Sequence, residues 1–261
     1  MILVLAGSSE GKEVLKVLYE AGYDVIATVT STYGAQLLNE TVRGSHCRIG
    51  KLDLEVLIRL IKEKQVDIIV DATHPFALEI SQLAMQAAAC TGISYIRLER
   101  PGLSLPRHPL LHTIQELSEI KTYIAPEQTL FSTIGSRHLA ELRSITAKQG
   151  IHLIARVLPV SGWLHKCEEI GLCPEQIIAM KGPFSREMNR EQFLHYRADA
   201  VLSKESGSIG GLDTKIEAAV DLGIPILIWL RPMISYPLCV ESAHEVLKVI
   251  QTRQMNKGGY R

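Results

Sequence analysis

Short aliphatic and β-branched runs alternate with amphipathic stretches along most of this chain. Residues 1–6 form such a run, residues 10–21 place apolar side chains at helical spacing, and residues 24–30 form the next run. Strands read as continuous apolar runs when both faces of their sheet are covered, which is typical of parallel strands joined by helices. The alternation therefore predicts an α/β fold with parallel sheets.

The same alternation continues through the rest of the sequence. Further strands are predicted at residues 46–49, 66–71, 94–98, 129–134, 151–157, 176–180, 200–203 and 224–230. Further helices are predicted at residues 35–41, 52–64, 76–90, 137–148, 187–196 and 212–222.

A segment rich in proline interrupts the pattern at residues 100–112, which contain three prolines and one glycine. We take it as a linker and predict one α/β domain at residues 1–105, a second at residues 106–250 and a flexible polar tail at residues 251–261, with a cleft between the domains. The boundary stays open, because a C-terminal segment could pack back on the first sheet.

The composition excludes several classes of protein. Lys and Arg number 28, as do Asp and Glu, so the chain lacks the basic excess of a nucleic-acid binder. No apolar run reaches the roughly 18 residues that a membrane helix needs. The five cysteines form no CxxC pair, and no cluster with metal-ligand spacing stands out. We expect a cytoplasmic protein that binds no nucleic acid, no membrane and no metal.

The first predicted strand ends in a glycine turn, Gly7-Ser8-Ser9-Glu10-Gly11, which leads into a helix. Such a turn offers backbone N–H groups and the positive end of the helix dipole to an anion. Against the dinucleotide template GxGxxG only Gly7 matches, since Ser9 stands at the second glycine position and Lys12 at the third. The position of the turn favours a phosphate site, and a capped helix without a ligand is the alternative.

The end of the second predicted strand bears on the type of cofactor. It carries hydroxyls at Thr30, Ser31 and Tyr33, where enzymes that prefer NAD usually carry an acid for the ribose 2′-hydroxyl. A carboxylate would repel a 2′-phosphate, so its absence favours NADPH, with NADH as the other candidate. Arg43 and Arg48 are the nearest arginines that could assist.

A titratable side chain follows the strand at residues 66–71. The sequence runs Asp71-Ala72-Thr73-His74-Pro75-Phe76 into the next helix. In a parallel sheet this junction lies at the carboxyl end of a strand, where ligands bind. The alternative is that Thr73 caps the helix and His74 merely fills the turn.

Basic residues recur just after five strands of the second half. Because parallel strands end at one edge of their sheet, these residues predict a basic rim, and arginine forks match carboxylates in a bidentate manner. The rim favours a ligand with several carboxylates. Its members are Arg137, Arg156, Lys181, Lys204 and Arg231.

Several segments, taken in order, resemble the precorrin-6A reductases of cobalamin biosynthesis, including the cobalt-precorrin-6A enzymes. The segments are LAGSSEGK, VTSTYG, VDATHPFA, GSR, ARVLP, KGPFSREMN, SKESGSIGG and IPILIWLRP. The resemblance spans nearly the whole chain. It implies two Rossmann-like domains, the first binding a dinucleotide and the second the substrate, and reduction of one double bond of a tetrapyrrole by NADPH or NADH.

The resemblance also implies roles for individual residues. The cofactor phosphates would be held by Gly7, Ser8, Ser9, Glu10 and Gly11, and the adenosine ribose by Thr30, Ser31 and Tyr33. The nicotinamide side would be lined by Thr73, His74, Pro75 and Phe76. The macrocycle would face Arg137, Ser185, Lys204, Ser206 and Gly207. The proton that completes the reduction would come from His74, Lys204 or a bound water.

Two other functions stay open at this point. A non-redox two-domain enzyme that modifies tetrapyrroles would explain the basic rim but not the glycine turn. A nucleotide or tetrapyrrole sensor would explain both loops but not His74 and Lys204. The sequence does not decide between the metal-free and the cobalt substrate, and transient contact with neighbouring enzymes of the pathway is also open.

Overall fold

Two parallel sheets organise the chain, and each belongs to its own unit. The computed structural model describes residues 1–41, 46–102, 104–206 and 210–258. The first unit comprises Met1–Pro101 together with Pro232–Arg261, and the second comprises Gly102–Arg231. The side chain of Tyr33, the residue Arg43 and the residue Gly207, all named above, lie outside the described part.

The first unit is built on six parallel strands with helices between them. Its strands are β1 (Ile2–Ala6), β2 (Val25–Val29), β3 (His46–Ile49), β4 (Ile68–Ala72), β5 (Ser94–Leu98) and, near the end of the chain, β12 (Cys239–Val240). Its helices are α1 (Ser9–Glu20), α2 (Thr32–Thr41), α3 (Leu54–Glu63), α4 (Leu78–Thr91) and α9 (Ala243–Gly258). The strand order β12-β5-β4-β1-β2-β3 is that of a Rossmann sheet.

The second unit repeats this plan. Its strands are β6 (Leu111–Ile114), β7 (Thr129–Ser132), β8 (His152–Val157), β9 (Ile177–Ala179), β10 (Ala200–Lys204) and β11 (Ile226–Trp229). Its helices are α5 (Leu139–Gln149), α6 (Ser161–Glu169), α7 (Arg186–His195) and α8 (Leu212–Asp221). All pairs are parallel in the order β6-β11-β10-β7-β8-β9. The predicted fold class is thereby confirmed.

The first sheet takes its sixth strand from the end of the chain, whereas the second sheet is built from six consecutive strands. In the first sheet β12 pairs with β5, although the whole second unit lies between them in sequence. In the second sheet β6, which follows β5 along the chain, pairs with β11. This differs from the predicted boundaries, because residues 232–250 belong to the first unit and not to a domain at 106–250.

Buried apolar side chains explain why the C-terminal segment packs on the first sheet. Val240 of β12 and Val246 and Ile250 of α9 are buried in the same core as α1. The predicted tail from residue 251 therefore begins inside a helix, because α9 continues to Gly258.

The first sheet is covered on both faces, as its sequence predicts. Ile2, Val4 and Ala6 of β1 join one core cluster, while Leu3 and Leu5 join the other. This alternation follows from the two-residue period of a strand. No helix within the described ranges is long and apolar enough to cross a membrane.

The strand order fixes where ligands can bind. It reverses between β1 and β4 in the first sheet and between β7 and β10 in the second. In open parallel sheets the crevice for ligands lies beyond the carboxyl ends of the strands at this reversal. Each unit thus has its own candidate site.

Candidate functional site

The loop after β1 lies at the reversal point of the first sheet. Ser8 is the N-cap of α1, and its hydroxyl accepts a hydrogen bond from the Gly11 N–H at 3.3 Å. The same hydroxyl donates to the Ala72 carbonyl at 2.7 Å, which ties this loop to the end of β4. The capped helix of the alternative interpretation is therefore present, and it directs the N-terminus of a twelve-residue helix toward the carboxyl edge.

Gly11 has a packing role. A Cβ at this position would lie 2.8 Å from Ala6 Cα and 2.9 Å from Ala6 Cβ, so only glycine lets α1 approach β1 this closely. That is the role of the third glycine in the dinucleotide-binding turn. The predicted phosphate contact is not needed to explain this residue. Gly11 stands one position before the last glycine of the template, whose second glycine is Ser9 here.

Glu10 places a carboxylate in the first turn of α1. Ser9 Oγ donates to it at 2.8 Å, and Arg100 Nε lies 3.8 Å from its Oε1. Burial raises the pKa of Glu10, but hydrogen bonds from its own backbone N–H, Ser8 and Ser9, with the charge of Arg100, outweigh burial and lower that pKa. An ionised carboxylate cannot itself bind a phosphate, so the predicted role of Glu10 is restricted to its main chain.

The end of β2 is polar and accessible. Thr30 is exposed, and Ser31 Oγ accepts from the Gly34 N–H at 3.1 Å at the start of α2. Arg48 is exposed on β3, where it pairs in register with Thr28 of β2.

A buried ion pair lies beneath the loop that carries His74. Asp71 and Arg97 are both fully buried and occupy paired positions on β4 and β5, with Arg97 Nη1 3.0 Å from Asp71 Oδ1. Tyr95 OH donates to Asp71 Oδ2 at 2.7 Å, and Arg97 Nε donates to Glu99 at 3.0 Å. The Tyr236 ring lies 5.2 Å from the guanidinium carbon. Burial raises the pKa of the Tyr95 hydroxyl, and the charge of Asp71 raises it further.

This network holds Thr73 in place. The backbone N–H and the hydroxyl of Thr73 donate to Asp71 Oδ1 at 3.0 and 2.6 Å, and Arg97 Nη1 donates to the hydroxyl at 3.1 Å. Thr73 does not cap α4, whose N-cap is Ala77 without a side-chain hydrogen bond. The alternative interpretation of this loop is therefore wrong for Thr73.

His74 is half-buried above this network. Its Nδ1 accepts from the Phe76 N–H at 3.2 Å, so a neutral ring carries its proton on Nε2. Phe76 is only 5% exposed, with its ring centroid 5.7 Å from that of His74. Among the four residues predicted to line the nicotinamide, Phe76 is buried, while Thr73, His74 and Pro75 keep partial exposure.

Lys204 is the last residue of β10 and lies at the reversal point of the second sheet. Its Nζ is 5.4 Å from the ring centroid of Trp229, and the His138 ring meets the same indole edge-on at 4.8 Å. Burial and the charge of Arg137 lower the pKa of Lys204 to about 8. Burial, together with Lys204, Arg137 and Lys166, lowers the pKa of His138 to about 4.

Sequence reasoning missed His138. It follows directly on the GSR segment after β7, so its place beside a predicted site residue was the available signal. Its Nε2 is buried without a hydrogen-bond partner among the described residues.

The other residues predicted to face the macrocycle are placed in different ways. Arg137 is exposed, and Ser185 is the exposed N-cap of α7, where its hydroxyl accepts from Met188 N–H at 3.2 Å. Ser206 Oγ is buried and finds no acceptor or donor in the described part of the chain.

The predicted basic rim is less basic than its composition indicates. All five of its residues lie at or just beyond the carboxyl ends of parallel strands. Arg231, however, pairs with Glu205, with Nε 3.3 Å from Oε1, and Arg156 is buried. Arg137 and Lys181 are the members of the rim that are exposed.

Comparison with known proteins agrees with this arrangement. The family described as "Precorrin-6x reductase CbiJ/CobK" matches residues 1–251. The chain is 36% identical to the cobalt-precorrin-6A reductase of Priestia megaterium over 97% of its own length and 100% of that protein. It is 34% identical to the cobalt-precorrin-6A reductase of Methanothermobacter thermautotrophicus, over 90% of this chain and 77% of that one.

A solved structure shares the fold. A chain described as "CobK precorrin-6A reductase" superposes with a TM-score of 0.76 at 21% identity and covers 96% of both chains. The resemblance seen in the sequence motifs is confirmed by the match of the family over nearly the whole chain. This protein belongs to the precorrin-6x reductase family.

Proposed function

We propose that this protein is an oxidoreductase that reduces one double bond of the precorrin-6A macrocycle, in its metal-free or cobalt form, during cobalamin biosynthesis. The observation that carries the proposal is the family match over residues 1–251, which includes both reversal points. The relatives named for the cobalt substrate are the more similar ones, at 36% against 26% identity for the precorrin-6A reductase of Rhodobacter capsulatus. We therefore favour cobalt-precorrin-6A as the substrate, and the cytoplasm as its location.

The first unit is the proposed site of the nicotinamide cofactor. The residues present fit such a group. The helix α1 begins just after Gly7, at the point where the strand order reverses, and Gly11 permits close packing of this helix on β1. When bound, the reduced nicotinamide would supply the hydride. The main chain of Ser8, Ser9 and Glu10 would hold the phosphates, and Arg100 lies near enough to Glu10 to share that site.

The end of β2 would hold the adenosine ribose through Thr30, Ser31 and Tyr33. NADPH is the favoured form, because no carboxylate follows β2 and Arg48 is exposed on the neighbouring strand. The preference is tested by comparing the Kd for NADPH with the Kd for NADH.

We assign the Asp71–Arg97 pair to positioning. It fixes Thr73 through three hydrogen bonds, and Thr73 is the residue that leads into His74. A loop held in this way presents His74 and Pro75 in one orientation, with the buried Phe76 as a support. Positioning of this kind reduces the reorganisation required on the way to the transition state.

Lys204 is the favoured proton donor in the second unit. A pKa of about 8 leaves the ammonium protonated at neutral pH, yet more acidic than an ordinary lysine. His74 uses its Nδ1 as the acceptor of the Phe76 N–H, so only its Nε2 is left to donate. Arg137, Ser185, Ser206 and Gly207 would complete the surface for the macrocycle.

Cofactor binding is the first test of this function. NADPH and NADH are titrated into the purified protein while nicotinamide fluorescence is followed. We expect both to bind, with the lower Kd for NADPH. If neither nucleotide binds, the reductase assignment is wrong. Oxidation of the bound nucleotide on addition of cobalt-precorrin-6A or precorrin-6A then separates an enzyme from a sensor.

Lys204→Ala tests the proton donor. We expect kcat to fall about 10²–10⁴-fold while the Kd for NADPH stays unchanged, because a general acid contributes a factor of this size. Lys148→Ala, at an exposed position of α5, is the matched control for loss of one charge from the same unit. Unchanged kinetics of Lys204→Ala would remove this residue from the mechanism.

A further inference from the structure

Two cations are buried in the second unit beside neutral groups. Arg156 of β8 is 6% exposed and Lys215 of α8 is 8% exposed. Arg156 Nη1 donates to Asn189 Oδ1 at 2.9 Å and to Gln192 Oε1 at 2.7 Å. Neither acceptor carries a charge.

Lys215 has the same kind of surroundings. Its Nζ donates to the Gly210 carbonyl at 2.9 Å and lies 3.5 Å from Ser203 Oγ. Two of the three ammonium protons thus have neutral acceptors, which leaves the third for another partner.

The charges of this pair are not compensated by the protein. Burial lowers the pKa of Arg156 to about 10. Burial and the charge of Arg156 lower the pKa of Lys215 to about 8, against a weaker opposing effect of the exposed Asp213. Buried charges in proteins are normally paired, because desolvation without a counter-charge is costly. Neither cation forms an ion pair with any described residue, so an anion from outside the chain would compensate their charge.

The guanidinium of Arg156 has an edge suited to such an anion. Its Nη1 uses both protons on the two amides, and the Phe184 ring stacks 4.2 Å from the guanidinium carbon. Nε and Nη2 have no acceptor among the described residues, and neither nitrogen is fully buried. These two nitrogens form the side of the fork that binds both oxygens of a carboxylate.

The location of the pair agrees with a ligand site. The order β10-β7-β8 places Ser203, which contacts Lys215, and Arg156 on the strands either side of β7. Ser203 and Arg156 are each the penultimate residue of their strand, so the pair lies near the carboxyl edge at the reversal of strand order.

We propose that Arg156 and Lys215 form a subsite that binds one carboxylate arm of the tetrapyrrole substrate. This rests on the proposed function for the nature of the substrate. A carboxylate is favoured over a phosphate because the phosphates of the cofactor have their own helix N-terminus in the first unit. The subsite is distinct from Lys204, which contacts Trp229.

Binding of uroporphyrin, a tetrapyrrole with carboxylates on every pyrrole ring, tests the subsite without turnover. The Kd is measured by quenching of tryptophan fluorescence for the wild type, Lys215→Met and Lys148→Met. We expect Lys215→Met to weaken uroporphyrin binding roughly 10- to 100-fold, since a hydrogen bond to a charged group is lost. Lys148→Met removes the same charge from an exposed site and should bind as the wild type does. An unchanged Kd for Lys215→Met would overturn the proposal.

Thermal unfolding without a ligand separates binding from support of the fold. Removing an uncompensated buried charge should leave the Tm of Lys215→Met equal to or above that of the wild type. A lower Tm together with wild-type uroporphyrin binding would give Lys215 a structural role only. If Lys215→Met does not fold, Arg156→Lys tests the same point, because it keeps the charge and removes the fork, and it should bind uroporphyrin more weakly.

Two further measurements identify the anion and show whether the subsite depends on the proposed function. Inorganic phosphate should not compete with uroporphyrin at millimolar concentration, and competition that is lost in Lys215→Met would assign the subsite to phosphate. The Kd for NADPH should be the same in all variants. If the wild type fails to reduce cobalt-precorrin-6A while uroporphyrin binding still depends on Lys215, the reductase assignment fails and the subsite stands.

Discussion

The Asp71–Arg97 pair makes a residue-scale prediction about stability. Asp71→Asn keeps the size of the side chain but removes the fully buried counter-charge of the Arg97 guanidinium, which then keeps only Glu99 at its Nε. We expect the free energy of unfolding to fall by about 3–5 kcal/mol, as is typical when one member of a buried pair is removed. Urea denaturation followed by circular dichroism measures the change.

A double variant is the control for this prediction. Asp71→Asn combined with Arg97→Met removes both fully buried charges and leaves only the partly exposed Glu99, so it should recover part of the lost stability. Equal destabilisation of the single and double variants would show that lost packing, and not the unpaired charge, is the cause.

His138 predicts a pH dependence of stability. Its pKa is lowered to about 4 in the folded protein, first by burial and then by the charge of Lys204. The unfolded chain binds the proton near pH 6.5, so the stability that the neutral ring contributes is complete above that pH and is lost as the pH falls toward 4. His138→Phe keeps a ring against Trp229 without titrating, so its Tm should fall less than that of the wild type between pH 6.5 and 4. Parallel Tm profiles would contradict this prediction.

At this scale the sequence indicated which loops matter but not what supports them. Thr73 and His74 could be selected because they follow a strand directly. Arg97 and Tyr95 could not, because their contact with Asp71 depends on the register between β4 and β5. A charged residue inside each of two apolar strands was the only available signal. The predicted exposure of Arg156 is wrong for the same reason: its partners Asn189 and Gln192 lie on α7, and their contact with β8 cannot be read from the local sequence.

At the scale of elements, the contact between α1 and β1 depends on one glycine. Gly11→Ala would place a methyl group 2.8 Å from Ala6 Cα, so the helix has to move away from the strand. We expect a loss of about 1–3 kcal/mol in the free energy of unfolding, the usual range for overpacking, and weaker NADPH binding. Urea denaturation and the fluorescence titration measure the two effects.

Gly162→Ala is the matched control for this change. Gly162 lies in α6, and no atom of the described residues comes within 4 Å of the place that an alanine methyl group would take. The same substitution should therefore be neutral there or stabilise the protein by up to about 1 kcal/mol. Similar effects at both glycines would argue against the close approach of α1 to β1.

Elements with strong local patterns could be predicted, and those defined by distant partners could not. The runs at residues 1–6 and 94–98 lie within a residue of β1 and β5. β6 begins inside the predicted linker, and β12 has only two residues, so neither shows a recognisable period. Both are strands because they pair with β11 and β5, and such pairings are not encoded locally.

For the whole molecule, the division into two units predicts that a destabilising substitution in α9 lowers the stability of the first unit and not of the second. Ile250 is fully buried in the core that contains β1 and α1. Ile250→Ala should cost about 2–5 kcal/mol and speed amide hydrogen exchange in β1, β4 and β5. Exchange in β7 and β10, which belong to the second unit, is the internal control. Faster exchange in both units to the same degree would mean that they unfold together.

The late position of the edge strand β12 in the sequence has a consequence for synthesis on the ribosome. The five strands β1 to β5 emerge first, yet the edge of β5 stays open until β12 has been translated, after the entire second unit. The second unit is continuous in sequence and can be completed earlier. An open parallel edge invites pairing with other chains. The nascent protein therefore carries an incomplete N-terminal half through most of translation, and a premature stop after residue 231 would release it in that state.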